Sequence, residues 1–275
     1  MEEPSSSLDV GRLLELLDSG RYTIECLPSV ESTNDRLKER ARSGGPECRV
    51  VIADRQTAGR GRQQRPWFGA AGLGLYLSVA ESIADRPRLV TRWTLGAGVA
   101  AAEACRSLTA IPVGLKWPND LSYDGRKLGG ILIEMHRRPD GRSEIFVGVG
   151  INVDHHPDDL PAELQDRAVS LRILLGERTP PTREQVAAEF LNRWSKVCDA
   201  LAGDGWEAIR ARWSSLSIWP AGSEVDVFPD GRLDCGESIS GRLLGVDDVG
   251  ALRIESADGA ELVITQADSV RLREE

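Results

Sequence analysis

The sequence predicts an α+β protein with two unequal parts. Up to about residue 220, apolar runs of strand length are interspersed with segments whose apolar residues recur at helical spacing. After Pro220 the pattern changes to short apolar segments divided by Gly and Asp turns, over about 55 residues, which is typical of a small all-β barrel or sandwich. We therefore expect one domain over residues 1–220 and a second over residues 221–275.

The helices are predicted from periodicity and end signals. Leucines form a stripe within residues 9–18. A second helix is expected to begin at Ser32 or Thr33 and to close at the glycines after residue 43, because Ser32 and Asp35 have the spacing of a capping box. Three further helices are predicted over residues 88–108, 183–202 and 205–216.

Strands are predicted from apolar runs bounded by turn residues. The candidates in the first part cover residues 22–30, 48–56, 74–80, 113–120, 127–137 and 143–153. The last two are separated by a Pro-Asp-Gly turn, so we expect them to pair antiparallel.

Composition excludes some classes of protein. The 275 residues carry a net charge of -9 and the pI is about 5.1, whereas nucleic-acid-binding surfaces are usually basic. No stretch is long and apolar enough to span a bilayer, and the first residues lack the apolar core of a signal peptide. We therefore expect a cytoplasmic protein with free thiols and neither a nucleic-acid nor a membrane partner.

One segment is basic in spite of this acidic background. The basic loop, residues 53–69, reads ADRQTAGRGRQQRPWFG. Glycines let backbone amides approach a ligand closely, and the forked guanidinium groups of Arg60, Arg62 and Arg65 match phosphate or carboxylate oxygens. On composition alone, a solvated flexible loop is the alternative.

Two other segments carry candidate site residues. In KWPNDLSYDGRKLGGILIE, Pro118 predicts a turn that aims Asn119 and Asp120 into a cleft, and Lys127 precedes a pair of glycines where a ligand could lie against bare backbone. In GVGINV, Asn152 offers a neutral oxygen to a sugar, a water or Mg²⁺. A surface hairpin and an ordinary strand-end residue are the alternatives.

Together these motifs resemble the biotin protein ligases, which are biotin–acetyl-CoA-carboxylase ligases. The resemblance covers essentially the whole chain from about residue 25, and its motifs are STN (32–34), QTAGRGR (56–62), LYLS (75–78), KWPNDL (116–121), RKLGGIL (126–132) and GINV (150–153). It implies a class II synthetase-like catalytic domain with a mixed, largely antiparallel sheet, followed by an SH3-like barrel.

The resemblance implies that ATP activates biotin as biotinyl-5'-AMP, and that biotin then passes to a lysine of a biotin carboxyl carrier protein domain. Catalytic roles fall to Lys127, Arg62 and Asp120. Biotin contacts fall to Ser32, Thr33, Asn34, Gln56, Gly59, Arg60, Gly61, Arg62, Trp67, Lys127, Gly129 and Gly130. ATP contacts fall to Arg62, Arg65, Trp67, Asn119, Lys127 and Asn152, with Mg²⁺ on the phosphates, near Asn152.

The chain departs from the family pattern in two places. Gln64 stands where the family loop commonly has glycine, and a residue with a Cβ restricts the backbone there, which bears on lid geometry and on leakage of the adenylate. Only about 20 residues precede the catalytic part, too few for the DNA-binding domain of repressor relatives, so we expect no operator binding.

Other functions remain open at this stage. A lipoate–protein ligase shares the adenylate chemistry, although no RRxxGGG pattern is present. A nucleic-acid-binding protein and a biotin-sensing pseudoenzyme are further alternatives, and a homodimer is neither required nor excluded.

Overall fold

The computed structural model describes residues 8–43, 49–83, 89–137, 143–228, 238–267 and 269–273. These residues form a seven-stranded mixed sheet with helices and a second, five-stranded antiparallel sheet near the end of the chain. The predicted α+β class is confirmed. Among the described residues, no helix is long and apolar enough to cross a bilayer.

Six helices are found in the described parts of the chain: α1 (Val10–Glu15), α2 (Thr33–Ser43), α3 (Val90–Thr109), α4 (Leu171–Leu175), α5 (Arg183–Ala202) and α6 (Trp206–Leu216). The start of α5 is a capping box in which Thr182 and Gln185 satisfy each other's backbone N–H groups. At α2 only half of the expected box forms, because Ser32 Oγ accepts from the backbone N–H of Asp35 at 3.5 Å while the Asp35 carboxylate binds elsewhere. Helix α4 was missed at the level of sequence.

The large sheet contains β1 (Ile24–Leu27), β2 (Val50–Ala53), β3 (Gly74–Ile83), β4 (Gly114–Lys116), β5 (Asp120–Tyr123), β6 (Arg126–Arg137) and β7 (Ser143–Asn152). Their order is β1-β2-β3-β7-β6-β5-β4, and only β1 and β2 pair in parallel. The expected antiparallel pairing of β6 with β7 is confirmed, and the turn predicted between them lies outside the described residues. Asp120 begins a strand rather than lying in the turn after the cis Trp117–Pro118 bond.

The two faces of this sheet are covered differently. On β7, Ile145, Val147, Val149 and Ile151 join the main apolar core with α3, α5 and α6. The alternate residue Phe146 points to the opposite face, where it packs in a small cluster with Leu37 of α2. Since strand side chains alternate between faces, Gly148 and Gly150 lie on the α2 face, and the candidate site is found there.

The second sheet contains β8 (Glu224–Phe228), β9 (Ile239–Val246), β10 (Leu252–Glu255), β11 (Glu261–Ile264) and β12 (Ser269–Leu272), in the order β11-β10-β9-β8-β12. The first and last strands of this order are not paired with each other in the part of the chain that the structure describes. Its apolar residues continue the main core. Trp117 Nε1 also donates to the Gly250 carbonyl at 3.1 Å, so the second sheet packs beside the KWPND segment. The boundary near residue 220 stays a prediction.

Candidate functional site

The floor of the site is a gap in the α2 face of the large sheet. Gly150 on β7 pairs with Gly130 on β6, and the next residue of the same face, Gly148, pairs with Leu132. Gly130, Gly148 and Gly150, called here the glycine floor, leave backbone exposed where side chains would otherwise stand. A cleft therefore opens at the centre of the sheet, and all three glycines line it.

Neutral polar side chains surround one end of this floor. Ser78 of β3 is fully buried, and its Oγ lies 2.8 Å from Thr33 Oγ1 and 2.7 Å from Asn34 Oδ1. Gln56 Oε1 accepts from both the backbone N–H and the hydroxyl of Thr33, at 2.9 and 3.1 Å. Glu134 Oε2 accepts from Asn34 Nδ2 at 2.8 Å. These side chains hold one another in place, and the Glu134 carboxylate behind Asn34 does not itself line the cleft.

The basic loop folds back on itself over the cleft. Gln56 bridges to Gly69 and Arg60 bridges to Pro66, which makes a narrow hairpin with a short 3-10 turn at residues 62–64. At this turn the backbone takes φ values of 54° at Gln63 and 59° at Gln64. Such left-handed conformations cost a residue with a Cβ about 1 kcal/mol or more, so Gln64 adopts the conformation that glycine would take without strain.

Two arginines of the loop bind other parts of the protein. Arg60 forms a two-point ion pair with Asp35 of α2, at 2.6 and 2.8 Å. The hydrogen bonds from Arg60 lower the pKa of Asp35 although partial burial opposes this effect. Arg62 Nη1 donates to the carbonyl of Ala267 at 3.0 Å. The loop is thus joined to α2 on one side and to the C-terminal sheet on the other.

Trp67 lies in the cleft, against the glycine floor. A Cβ added at Gly150 would lie 2.7 Å from two carbons of its indole ring, and one added at Gly130 would lie 3.5 Å from a third. Lys127 Nζ is 5.5 Å from the ring centroid, within cation–π range. The indole Nε1 is buried and has no hydrogen-bond partner among the described residues, so a donor is available to a ligand at this point.

Opposite charges meet at the other end of the cleft. Lys127 of β6 and Asp120 of β5 form an ion pair at 2.6 Å. Asn119, the residue before β5, donates to the carbonyl of Ile131 at 2.9 Å and so joins the start of β5 to β6. The side chains of Lys127 and Asp120 remain 40% and 27% exposed, which leaves both groups accessible to a charged ligand.

Further positive charge lies behind this pair. Burial lowers the pKa of Lys116, nearby Asp120 raises it, and the positive charges of Arg271 and Lys127 lower it further. Lys116 Nζ stands 5.4 Å from the ring centroid of Trp219. Since Arg271 belongs to β12, the C-terminal sheet contributes to the positive potential around Lys116.

All but three of the site residues predicted from the sequence line this cleft. Those that do are Ser32, Thr33, Asn34, Gln56, Arg60, Gly61, Arg62, Arg65, Trp67, Asn119, Asp120, Lys127 and Gly130. Gly59 closes the hairpin by accepting from the N–H of Trp67 at 2.8 Å. A Cβ added at Gly129 would lie 2.7 Å from the Gly150 carbonyl oxygen. Asn152 is buried, with Nδ2 donating to Val169 O at 3.0 Å.

Several lining residues were not predicted. They are Gln63, Pro66, Ile131, Leu132, Gly148, Val149 and Gly150. Ser78, beneath the floor, was also missed. The signal for Gly148 and Gly150 was present in the sequence, because two glycines at strand spacing in GVGINV leave one face of the strand without side chains.

Comparison with known proteins gives a consistent result. Residues 26–152 match the family described as the biotin/lipoate A/B protein ligase family. The biotin--[acetyl-CoA-carboxylase] ligase of Mycobacterium tuberculosis is 34% identical over 93% of this chain and 91% of its own length. The bifunctional ligase/repressor BirA of Escherichia coli is 38% identical over 93% of this chain and 75% of its own length.

Solved structures agree in fold. A biotin protein ligase from Aquifex aeolicus, solved in complex with biotin and ATP, is 29% identical, with a TM-score of 0.77 over 91% of this chain and 99% of that one. Sequence identity, coverage and fold thus agree, and the chain belongs to the biotin/lipoate A/B protein ligase family, among relatives that are biotin ligases.

Proposed function

We propose that this protein condenses biotin with ATP to biotinyl-5'-AMP and transfers the biotinyl group to one lysine of a biotin carboxyl carrier protein domain. In the first step a carboxylate oxygen bonds to the α-phosphorus and the bond to pyrophosphate breaks. In the second step the lysine amine attacks the carbonyl carbon, AMP leaves, and the amine loses a proton. The observation that carries this proposal is the convergence of Arg62 and Lys127 on a cleft whose other end is neutral and polar.

Positive charge is required by the first step. Two unit charges 4 Å apart repel by about 4 kcal/mol at an effective dielectric of 20, and here a carboxylate must approach a triphosphate. Lys127 is assigned to the carboxylate and the α-phosphate, where charge builds up during attack. Arg62 and Arg65 are assigned to the phosphates. The ion pair with Asp120 keeps the Lys127 side chain oriented toward the cleft before the substrate anions bind.

The neutral end of the cleft suits the ureido ring of biotin. A buried ureido group needs a partner for each polar atom, and the hydroxyl and amide groups of Ser32, Thr33, Asn34 and Gln56 are of the right type. Trp67 closes the cleft over the glycine floor and shields the anhydride from water. Its unpartnered Nε1 is one further donor for the adenylate.

The second step needs an uncharged amine. A lysine with a pKa near 10.4 must lose its proton at a cost of about 4.6 kcal/mol at pH 7. Asp120 is assigned to receive the incoming ammonium and orient it, a role open to it once Lys127 is shared with the adenylate. An ordinary carboxylate is a weak base, so orientation contributes more than proton abstraction.

Mg²⁺ enters as part of the substrate, on the phosphate oxygens of ATP. The described residues contain no cluster of three carboxylate, histidine or cysteine side chains that could hold a metal, and Asn152 does not line the cleft. A magnesium ion carried by ATP fits this cationic site better than one held by the protein near Asn152.

Mass spectrometry of the carrier domain tests the transfer of the biotinyl group directly. A carrier domain incubated with this protein, biotin, ATP and Mg²⁺ should gain one biotinyl group on one lysine. The reactions without ATP, and with that lysine changed to arginine, should leave the mass unchanged. Replacing biotin with lipoate tests the lipoate–protein ligase alternative, and labelling by lipoate alone would overturn the proposal.

Two finer points belong to the same proposal. A cytoplasmic location is compatible with the free thiols of Cys105 and Cys198, since such thiols persist in reducing compartments. Association of two copies through an edge strand of the large sheet, β1 or β4, is part of the proposal. Sedimentation with and without biotin and ATP measures it.

A further inference from the structure

The basic loop is fastened to helix α2 by one pair of opposite charges. Each oxygen of the Asp35 carboxylate meets one nitrogen of the Arg60 guanidinium, with Nη1–Oδ2 at 2.6 Å and Nη2–Oδ1 at 2.8 Å. The charge of an arginine engaged in this way is already balanced by the carboxylate. We propose that Asp35 is a positioning residue for the ligase reaction, which holds the basic loop closed over the cleft through Arg60. The inference rests on the proposed function, because closure matters only if an adenylate must be retained.

The position of Arg60 in the hairpin makes this pair effective. Its backbone bridges to Pro66 in the opposite arm, and the adjacent Gly59 accepts a hydrogen bond from the N–H of Trp67 at 2.8 Å. Fixing Arg60 therefore fixes both arms of the loop, with Trp67 on one side and Arg62 on the other. Loss of the pair would free the two side chains assigned to cover and hold the adenylate.

The geometry distinguishes this pair from an ordinary surface ion pair. Exposed single-contact pairs contribute little, but fork-to-carboxylate pairs with two short bonds are stronger and set an orientation. The Arg60 and Asp35 side chains are 26% and 37% exposed. Hydrogen bonding between them raises the pKa of Arg60 and lowers that of Asp35, so both groups stay charged.

The same helix connects the pair to the polar end of the cleft. Lys38 Nζ lies 3.3 Å from Asp35 Oδ1 and 2.7 Å from Glu134 Oε1. Glu134 in turn accepts from Asn34 at 2.8 Å through its other oxygen. Asn34 is therefore linked to the basic loop through Glu134, Lys38 and Asp35. A ligand bound at Asn34 contacts one end of this chain of polar contacts, and the loop that covers the ligand lies at the other end.

A double-mutant cycle tests the pair. Asp35→Asn and Arg60→Gln should each shorten the retention time of preformed adenylate and raise the KM for biotin by roughly tenfold. For Asp35→Asn, whose side chain does not line the cleft, the kcat of biotin-dependent pyrophosphate exchange at saturating substrate should change by less than about threefold. The double variant should be no worse than either single one, since both remove the same interaction.

Glu39→Gln is the matched control. It removes a carboxylate from the same helix, where Glu39 is 66% exposed and pairs with Arg36 at 3.4 Å. It should leave retention, KM and melting temperature unchanged. Asp35→Glu, which keeps the charge, should restore part of the retention lost in Asp35→Asn. Normal retention in Asp35→Asn, or single effects that multiply in the double variant, would overturn the inference.

Trypsin separates this inference from the proposed function. Cutting of the ligand-free protein after Arg60 or Arg62 should be faster in Asp35→Asn than in the wild type or in Glu39→Gln. That result requires no activity, so it stands even if the wild type shows no exchange with biotin. Equal cutting in all three proteins would refute the role of Asp35 whatever the substrate proves to be.

Discussion

Gly150→Ala is expected to displace Trp67 from the cleft. The added Cβ would lie 2.7 Å from Cε2 and Cζ2 of the indole and 2.9 Å from Nε1, whereas carbon atoms in contact are about 3.5–4.0 Å apart. The strand cannot retreat, because Gly150 pairs with Tyr76 on one side and with Gly130 on the other. The indole must therefore move by nearly 1 Å or leave the floor.

The size of the effect follows from the cost of overpacking. Inserting a methyl group into a filled site costs about 1–3 kcal/mol, and here the loop can relieve it by opening. Retention of the adenylate should therefore fall by roughly 5- to 150-fold. The melting temperature should change little, because the clash lies in the cleft rather than in the main core. The half-time of preformed adenylate on the purified protein measures the first quantity, and thermal unfolding measures the second.

Two comparisons make this test specific. In the Trp67→Ala background the same substitution should have almost no further effect, since the clashing ring is gone. Gly61→Ala is the control within the loop, because its Cβ would meet only the Arg65 carbonyl at 3.7 Å, an ordinary contact. If Gly150→Ala retains the adenylate normally, or is equally harmful without Trp67, the packing of the indole on the floor is not what closes the site.

Three further outcomes are expected. Lys127→Ala should abolish biotin-dependent pyrophosphate exchange while circular dichroism shows an intact fold, and near-normal exchange would remove Lys127 from the mechanism. Arg62→Gly loses a cation and the bond to Ala267, so it should release adenylate early and label lysines of a bystander protein, whereas tighter retention would reverse the assigned role. Glu103→Gln should destabilise the protein by about 1 kcal/mol at pH 7. Burial opposes ionisation of Glu103, but the hydrogen bonds and charges of Arg212 and Arg193 outweigh the effect of burial and lower the pKa of Glu103. The stability contributed by ionised Glu103 is present above the ordinary pKa of 4.5 and is lost as pH falls through its lower pKa in the folded protein. The difference in unfolding free energy between wild type and variant should therefore vanish in acid.

Most elements could be predicted from local sequence. The helix over residues 183–202 matched α5 because its apolar spacing and its Thr182 cap both lie within the segment. Helix α4 and the short turns around it were missed, since this part of the chain takes its shape from distant contacts. The backbone of Ala168, for example, bridges to that of Lys127.

The site was predictable where a motif keeps its residues close in sequence. Gln56 and Trp67 lie within one short segment of the chain, and so do Asn119 and Gly130. What could not be predicted is which side chains meet across the sheet. Glu134 binds Asn34 from 100 positions away, and Arg62 binds the carbonyl of Ala267. Nothing in the local pattern indicates that the charge of Arg60 is taken up by Asp35 rather than by a ligand.

The polarity of the cleft also determines the orientation in which a substrate binds. Thr33, Asn34 and Ser78 at one end are buried and neutral, and the carboxylate behind them belongs to Glu134. A substrate carboxylate placed there would lose hydration at a cost of several kcal/mol, because the nearby cations Arg60 and Lys38 are already paired with Asp35 and Glu134. Turned the other way, it meets Lys127 at the end where the cleft is open and the C-terminal sheet adds positive charge. A molecule with a neutral polar head and an acidic tail is therefore oriented by the polarity of the cleft, with its reactive oxygen beside Lys127, where a triphosphate can also be neutralised.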